Sequence, residues 1–505
     1  MFVVRRIAAI LAALLVVAGA VGMVAADRAW PPEAGVAGSP GVVEVPPGNA
    51  QVVCAGSLKL PGDGAGEIAY DQRFDPNPTG VDSINRGLVA GRGGGESQVL
   101  DEQSAAIPLG AQAGRVRIAN EPVGDAPIRL TAFVGQDDSA AAPPAAAGAV
   151  FQHLADGDLR GVAAAPCIPA SSEAWVVAGS TETGSSARLL LTNGGLTNVR
   201  ADLTLWDGAG LVQAVGLTGL TVPPLSQRAV LLEAYVGDAR RLAVKVTATG
   251  GDLAVFLQHS RLQGLIQGGV ELATPGAGPS QEAIVPALSV TESTFDSTRT
   301  SAIRVLNPGD QPATVSVELW GPDGPTTLPG LEEALVNPGV VTDLSLGGLP
   351  AGTYAALIRS DQPIVAAGLS LRAGAEDQPE EFAWTPTAAS SAQGYVVLPG
   401  ADLDALLVVA APADTTLELT PIDQAGGAGA PQTIQVAALT SQALTLAESG
   451  ADLDSAALQF HWEGPEGVLA LVVTAADPTG EMISAAVPTA LVVDAKPVRV
   501  YPDRL

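Results

Sequence analysis

Residues 313–324 read ATVSVELWGPDG, and residues 200–210 read RADLTLWDGAG. In each, apolar and polar residues alternate up to a tryptophan, and a turn rich in glycine and aspartate follows. That is the period-two pattern of a half-buried β-strand. The alternation sends Leu203 and Leu205 to one face and Thr204 and Trp206 to the other. Trp206 and Trp320 stand 114 positions apart. A unit of that length is the size of one β-sandwich, so the pair reads as duplicated scaffold, each ring capping the end of a sandwich core. A sugar- or peptide-stacking surface would need several exposed rings, and aromatic residues make up only 4% of the chain.

The duplication extends in both directions. Four short apolar strands open in the same way: NAQVVCAG from Asn49, EAWVVAGS from Glu173 (with Trp175), EAIVPALS from Glu282 and QGYVVLPG from Gln393. Further along each unit a second strand runs into a turn, at RIANEP (117–122), RLLLTNGG (188–195), IRVLNPGD (303–310) and LLVVAAPAD (406–414). Asn193 and Asn307 are expected there as turn residues, because asparagine tolerates left-handed backbone. RLAVKVTATGGDLAVFLQHS (241–260) reads as a hairpin, with counterparts at 354–370 and 458–476 and only a part, AVFQH, at 149–153. The first unit is expected to spend residues 70–112 on a long loop, a place where binding function can reside.

The expected organisation is therefore all-β: immunoglobulin- or fibronectin-like sandwich modules in tandem over 49–170, with a long loop, and over 171–280, 281–390 and 391–505. They follow a segment at 1–26 and a Pro/Gly-rich linker at 27–48. Arg5 and Arg6 precede an uncharged apolar run, Ile7 to Ala26, long enough to cross a hydrocarbon core of about 30 Å. Positive charge on that flank keeps it in the cytoplasm and places the remainder outside. The segment is expected to anchor the chain in the membrane or, if cleaved after Ala26, to release a secreted protein.

The net charge of −28 repels phosphate backbones, so nucleic acid is not an expected partner. Two cysteines outside the membrane predict one disulfide, Cys54 to Cys167, with a free or metal-binding pair as the alternative. In the chain-entropy description a loop of that length stabilises by about 5 kcal/mol. The three histidines, His153, His259 and His461, sit in no metal or triad spacing, and His153 and His259 fall at matching places in VFQH and VFLQH. No catalytic, cofactor-binding or metal-binding residue is expected, and no cofactor. The doublet GADLD (400–404 and 450–454) and the DGD at 156–158 read as turns.

EAWVVAGSTETGSSARLLLTNGG, the LTLW turn, the APC at Cys167 and VFLQHSRLQGLIQGGVE together resemble the actinobacterial secreted proteins of the domain of unknown function 5719 family. The similarity covers most of the chain after the linker. It implies an exported envelope protein and carries over no catalytic residue. The fourth unit departs from the pattern: Ala411 stands where the turn asparagine would be, and no tryptophan ends its third strand. The expected function is a non-enzymatic, extracytoplasmic structural or binding component of the cell envelope, partnered by an envelope protein or wall polymer. A carbohydrate- or wall-polymer-binding protein is one alternative, and a hydrolase with a site assembled between modules is another.

Overall fold

The computed structural model describes residues 41–45, 48–60, 81–101, 103–110, 116–135, 144–372, 378–478, 480–490 and 496–500. The apolar segment 1–26 lies outside them, and among the described residues no helix is long and apolar enough to cross a membrane. Two compact units emerge. In the smaller, Gly41–Val45 pairs antiparallel with Lys496–Val500. The linker expectation is thus corrected over GVVEV, whose strand partner lies at the other end of the chain and leaves no local signal.

The larger unit, Gly48–Val493, is all-β. Four successive stretches each build two antiparallel sheets in one strand order. In the second repeat the opening strand Glu173–Val176 lies beside Ala243–Thr249, which lies beside Val199–Asp207. The other sheet runs Ser226–Leu231, Ser185–Asn193, Ala254–Gln263, Ile266–Ala273. Leu189, Leu191, Leu203, Leu205, Val244 and Val246 fill the space between the sheets.

TATGGD is therefore not a hairpin turn. Ala243–Thr249 and Ala254–Gln263 belong to different sheets, so the chain arches over the core, with Gly250 at φ +86° making the bend. Strands that each bury one face cannot be told from a hairpin by alternation alone. In the third repeat both arms merge into one long strand, Gly352–Arg372, shared between the two sheets.

The first repeat builds both of its sheets, which corrects the long loop expected over 70–112 at residues 81–101 and 103–110; the remainder of that stretch lies outside the described residues. Val81–Ala90 is its second strand, Gly95–Val99 its third and Ile128–Ala132 the first arm of its arch. RIANEP is instead the edge strand Arg117–Glu121, paired to Val81–Ala90. The repeat's true second strand, VDSINRGLVA, breaks alternation with Asn85, Arg86 and Gly87, all buried, and so reads as polar loop.

Asn193 and Asn307 act through their side chains, not through left-handed backbone, which neither adopts. Asn193 Nδ2 donates to the carbonyls of Thr197 (2.8 Å) and Val222 (3.0 Å), and Oδ1 accepts from Gly195 N–H (2.9 Å). Asn307 repeats the set with Gln311 (2.7 Å), Val336 (3.2 Å) and Gly309 (3.0 Å). Each staples the turn after its strand to a distant strand. Asn307→Ala would leave the Val336 carbonyl buried without its partner, at about 1–3 kcal/mol. A urea midpoint lowered by that amount, with an unchanged m-value, is the expected result.

The four repeats close into a ring. Apolar clusters join first to second (Val53, Ala163, Leu190, Phe256), second to third (Leu257, Phe382, Trp384), third to fourth (Ala383, Val408, Ile483) and fourth to first (Leu88, Phe151, Val396, Leu471). Arginines on three second strands reach back to the preceding repeat's main chain. Arg188 Nη1 donates to Leu60 O (3.2 Å), Arg304 Nη1 to Gly179 O (2.6 Å), and Arg86 Nη1 to Leu398 O of the fourth repeat (2.8 Å).

The ring also explains the two tryptophans. Leu203, Leu205, Val317 and Leu319 point into their own cores, so Trp206 and Trp320 point out. Trp320 is wholly buried against Ala410 and Val468 of the fourth repeat. Trp206 stacks on Trp175 at 5.5 Å and lies against Gly339 of the third repeat. They seal one repeat onto the next, which corrects their reading as caps of their own cores.

Candidate functional site at the ring axis

The last strand of each repeat lies at the centre: Gly161–Pro166, Ile266–Ala273, Glu381–Pro386 and Met482–Ala486. Ala163, Ala164 and Ala165 are fully buried, and their small side chains leave room for a carboxyl from across the axis. Glu271 supplies it, with no exposed surface. Ser484 Oγ lies 2.7 and 2.9 Å from the two Glu271 oxygens and accepts from Ala164 N–H at 2.8 Å. The main-chain N–H groups of Leu272, Ala485 and Trp384 also donate to the carboxyl. Three repeats thus meet on Glu271 and a fourth is tied in through Ser484. Burial pushes Glu271 up to about 8 against these donors.

A second carboxyl lies nearby. Arg160, from the turn entering the first repeat's axial strand, places Nη1 3.0 Å from Glu381 of the third repeat and Nη2 2.9 Å from Asp477 of the fourth. Burial raises Glu381 well above the ordinary carboxyl range, opposed by Arg160 and reinforced by Glu271. Gly269, at φ +91°, passes so close to Glu381 that a β-carbon there would sit 2.9 Å from Oε2.

His259 packs on Phe382 at 4.6 Å between ring centroids and accepts a hydrogen bond from Trp384 Nε1 at Nδ1 (3.1 Å). Burial, and then Arg261 and Arg304, hold its pKa well below the usual histidine value. Ser484, Glu271 and His259 are chemically a nucleophile, a carboxylate and a base. The histidine is nevertheless committed to Trp384, and neither Ser484 nor Glu271 has a face open to a substrate. What this arrangement does is hold four repeats in one register.

Among the sequence-identified residues, Cys54 and Cys167 form the disulfide, buried beneath Gly148. Trp175 and Trp206 stack on each other, Trp320 packs on the fourth repeat, and Asn193 and Asn307 bind turn carbonyls. The matching VFQH and VFLQH segments share a role through glutamine: Gln152 and Gln258 accept from Leu58 N–H (2.9 Å) and Lys59 N–H (3.0 Å). His153 is half-buried and His461 exposed. Asp452 closes its turn on Ser455 and Asp454, and among the described residues no three or more Asp, Glu, His or Cys side chains gather as a metal would need. Sequence reasoning missed Glu271, Ser484, Arg160, Glu381 and Asp477. The one available signal was a lone carboxylate inside an apolar strand, QGGVELA.

An open cleft of about 240 Å³ lies between the first and second repeats, lined by Leu60, Asp158, Ser185, Ser186, Glu233 and Ser260, among others. Glu233 is held there by Ser186 Oγ (2.7 Å) and Ala187 N–H (3.2 Å).

Comparison with curated proteins and with solved structures finds no match to this chain. A protein-family model, described as a family of unknown function (DUF5719), matches residues 102–447. That stretch takes in the latter part of the first repeat, all of the second and third and half of the fourth, and the chain belongs to the DUF5719 family.

Proposed function

We propose that this protein is a non-enzymatic, extracytoplasmic component of the cell envelope, built of immunoglobulin- or fibronectin-like sandwiches, with a structural or binding role. The observation that carries this reading is the ring axis. Its reactive side chains are spent on one another, across repeats, as they would be in a scaffold. The disulfide suits an oxidising compartment, and the apolar run at Ile7 to Ala26 suits export. Fractionation of the host should recover the chain in the envelope or the medium, with both thiols oxidised by intact mass. Recovery from the cytosol with reduced thiols would overturn the reading.

A wall-polymer-binding function is the second reading, favoured by the cleft between the first two repeats. Three serine hydroxyls and two carboxylates beside leucines suit a polyhydroxylated ligand with an apolar face. Retention of the protein on isolated wall polymer, lost in Glu233→Ala, is the expected result.

A further inference from the structure

A cationic cluster stands out against the chain's net charge of −28. It lies where the second and third repeats meet, around Phe382 and Trp384. Arg261 lies over the Phe382 ring, 5.8 Å from its centroid, and Arg304 lies over Trp384 at 4.6 Å. Arg304 is fully engaged with Asp343 and the carbonyls of Gly179 and Arg240. Arg240 pairs with Glu182 (3.3 Å), and Arg299 pairs with Glu380.

Arg261 differs from these neighbours. Glu182 attracts it, but its guanidinium makes no hydrogen bond or ion pair with any described residue. On the same strand face Gln263 is committed through Nε2 to Glu380, the carboxylate that Arg299 also meets. Because His259 Nδ1 accepts from Trp384, the ring's proton resides on Nε2, and that N–H is buried without a partner. A half-buried guanidinium and an orphan N–H, two residues apart in sequence, both lie against the Phe382 ring. Arg261 and Arg299 have their pKa values lowered by burial and by other arginines. That is the field an anion would relieve.

We propose that Arg261, with His259 Nε2–H behind it and the exposed Arg299 and Arg240 beside it, binds an oxyanion, a phosphate or carboxylate group. The guanidinium fork matches two oxygens of such a group. This site is separate from the cleft between the first and second repeats and does not rest on the wall-polymer reading.

The test is titration of the folded chain with inorganic phosphate and with acetate, each against sodium chloride at equal ionic strength. Binding is read by calorimetry and by the fluorescence of Trp384, which lies under Arg304. Saturable binding of at least one anion is expected, with affinity reduced tenfold or more in Arg261→Gln and unchanged in Arg359→Gln, an exposed arginine elsewhere. Arg261→Lys, which keeps the charge but not the fork, should also bind more weakly, and it serves if the glutamine variant does not fold. Responses no different from chloride, or equal affinity in the Arg261 variants, would overturn the proposal. Either outcome leaves localisation and polymer retention to be decided by their own measurements.

Discussion

Raising the pH from about 5 to 8 should destabilise the folded protein, and Glu271→Gln should remove most of that dependence. Glu271 has an ordinary carboxyl pKa of 4.5 when exposed and about 8 in the ring. Between those values the folded chain holds a proton that the unfolded chain has released. Linkage then requires stability to fall as pH rises through the window, by up to about 5 kcal/mol for a shift of this size. Below the window the contribution is fully present, and above it is fully lost. Glu381 is shifted in the same direction and couples to Glu271, so the pair titrates jointly. Asp343 works oppositely: Arg304 and Arg241 outweigh its burial and hold it low, so its contribution is lost on acidification. The stability maximum therefore falls on the acid side of neutrality. Urea midpoints at several pH values, for wild type and Glu271→Gln, measure this. In the variant Ser484 Oγ can turn to accept from the amide. Parallel curves would mean that Glu271 does not carry the proton.

At a pH where Glu381 is ionised, Arg160→Ala should cost up to about 3–5 kcal/mol, the range for leaving a buried carboxylate without its counter-charge. The guanidinium joins Glu381 and Asp477 and also donates to Gly480 O at 3.3 Å, so a single truncation loosens the first repeat from the third and fourth. The control is Arg359, whose ion pair with Glu282 has a similar N–O distance, 3.2 Å, but is half exposed on both sides. Arg359→Ala is expected to cost no more than about 1 kcal/mol. Combining Arg160→Met with Glu381→Gln should recover much of the loss, because the buried charge goes with its partner. Equal costs for Arg160→Ala and Arg359→Ala would show that the axial pair is not holding the ring.

Much of the architecture was legible in the sequence, and the reasons are local. Alternation in RADLTLW and TVSVELW gave both strand and facing, and the equal spacing of Asn193 with Asn307 and Trp206 with Trp320 gave the repeat. The same alternation already placed Trp206 opposite Leu203 and Leu205, which is where a ring must lie to meet another repeat. Hidden features depend on distant partners. The strand around Asn85–Gly87 looks like loop because its arginine serves the fourth repeat. The arch at Gly250 mimics a hairpin because both arms are apolar on one face. Glu271 and Ser484 lie 213 residues apart in sequence, and nothing near either residue announces the other.

Closure of the four sheet pairs also limits how such a gene can change. In an open solenoid each unit touches only its neighbours, so copies can be gained or lost at the ends. Here the first and fourth repeats meet through Arg86 and Leu398, as subunits do in a cyclic oligomer. A fifth copy would have no place at an axis filled by four strands, and a loss would leave two apolar flanks bare. Copy number is thereby frozen, and divergence is confined to substitutions within each copy. Ala411 in the asparagine position is what such drift looks like.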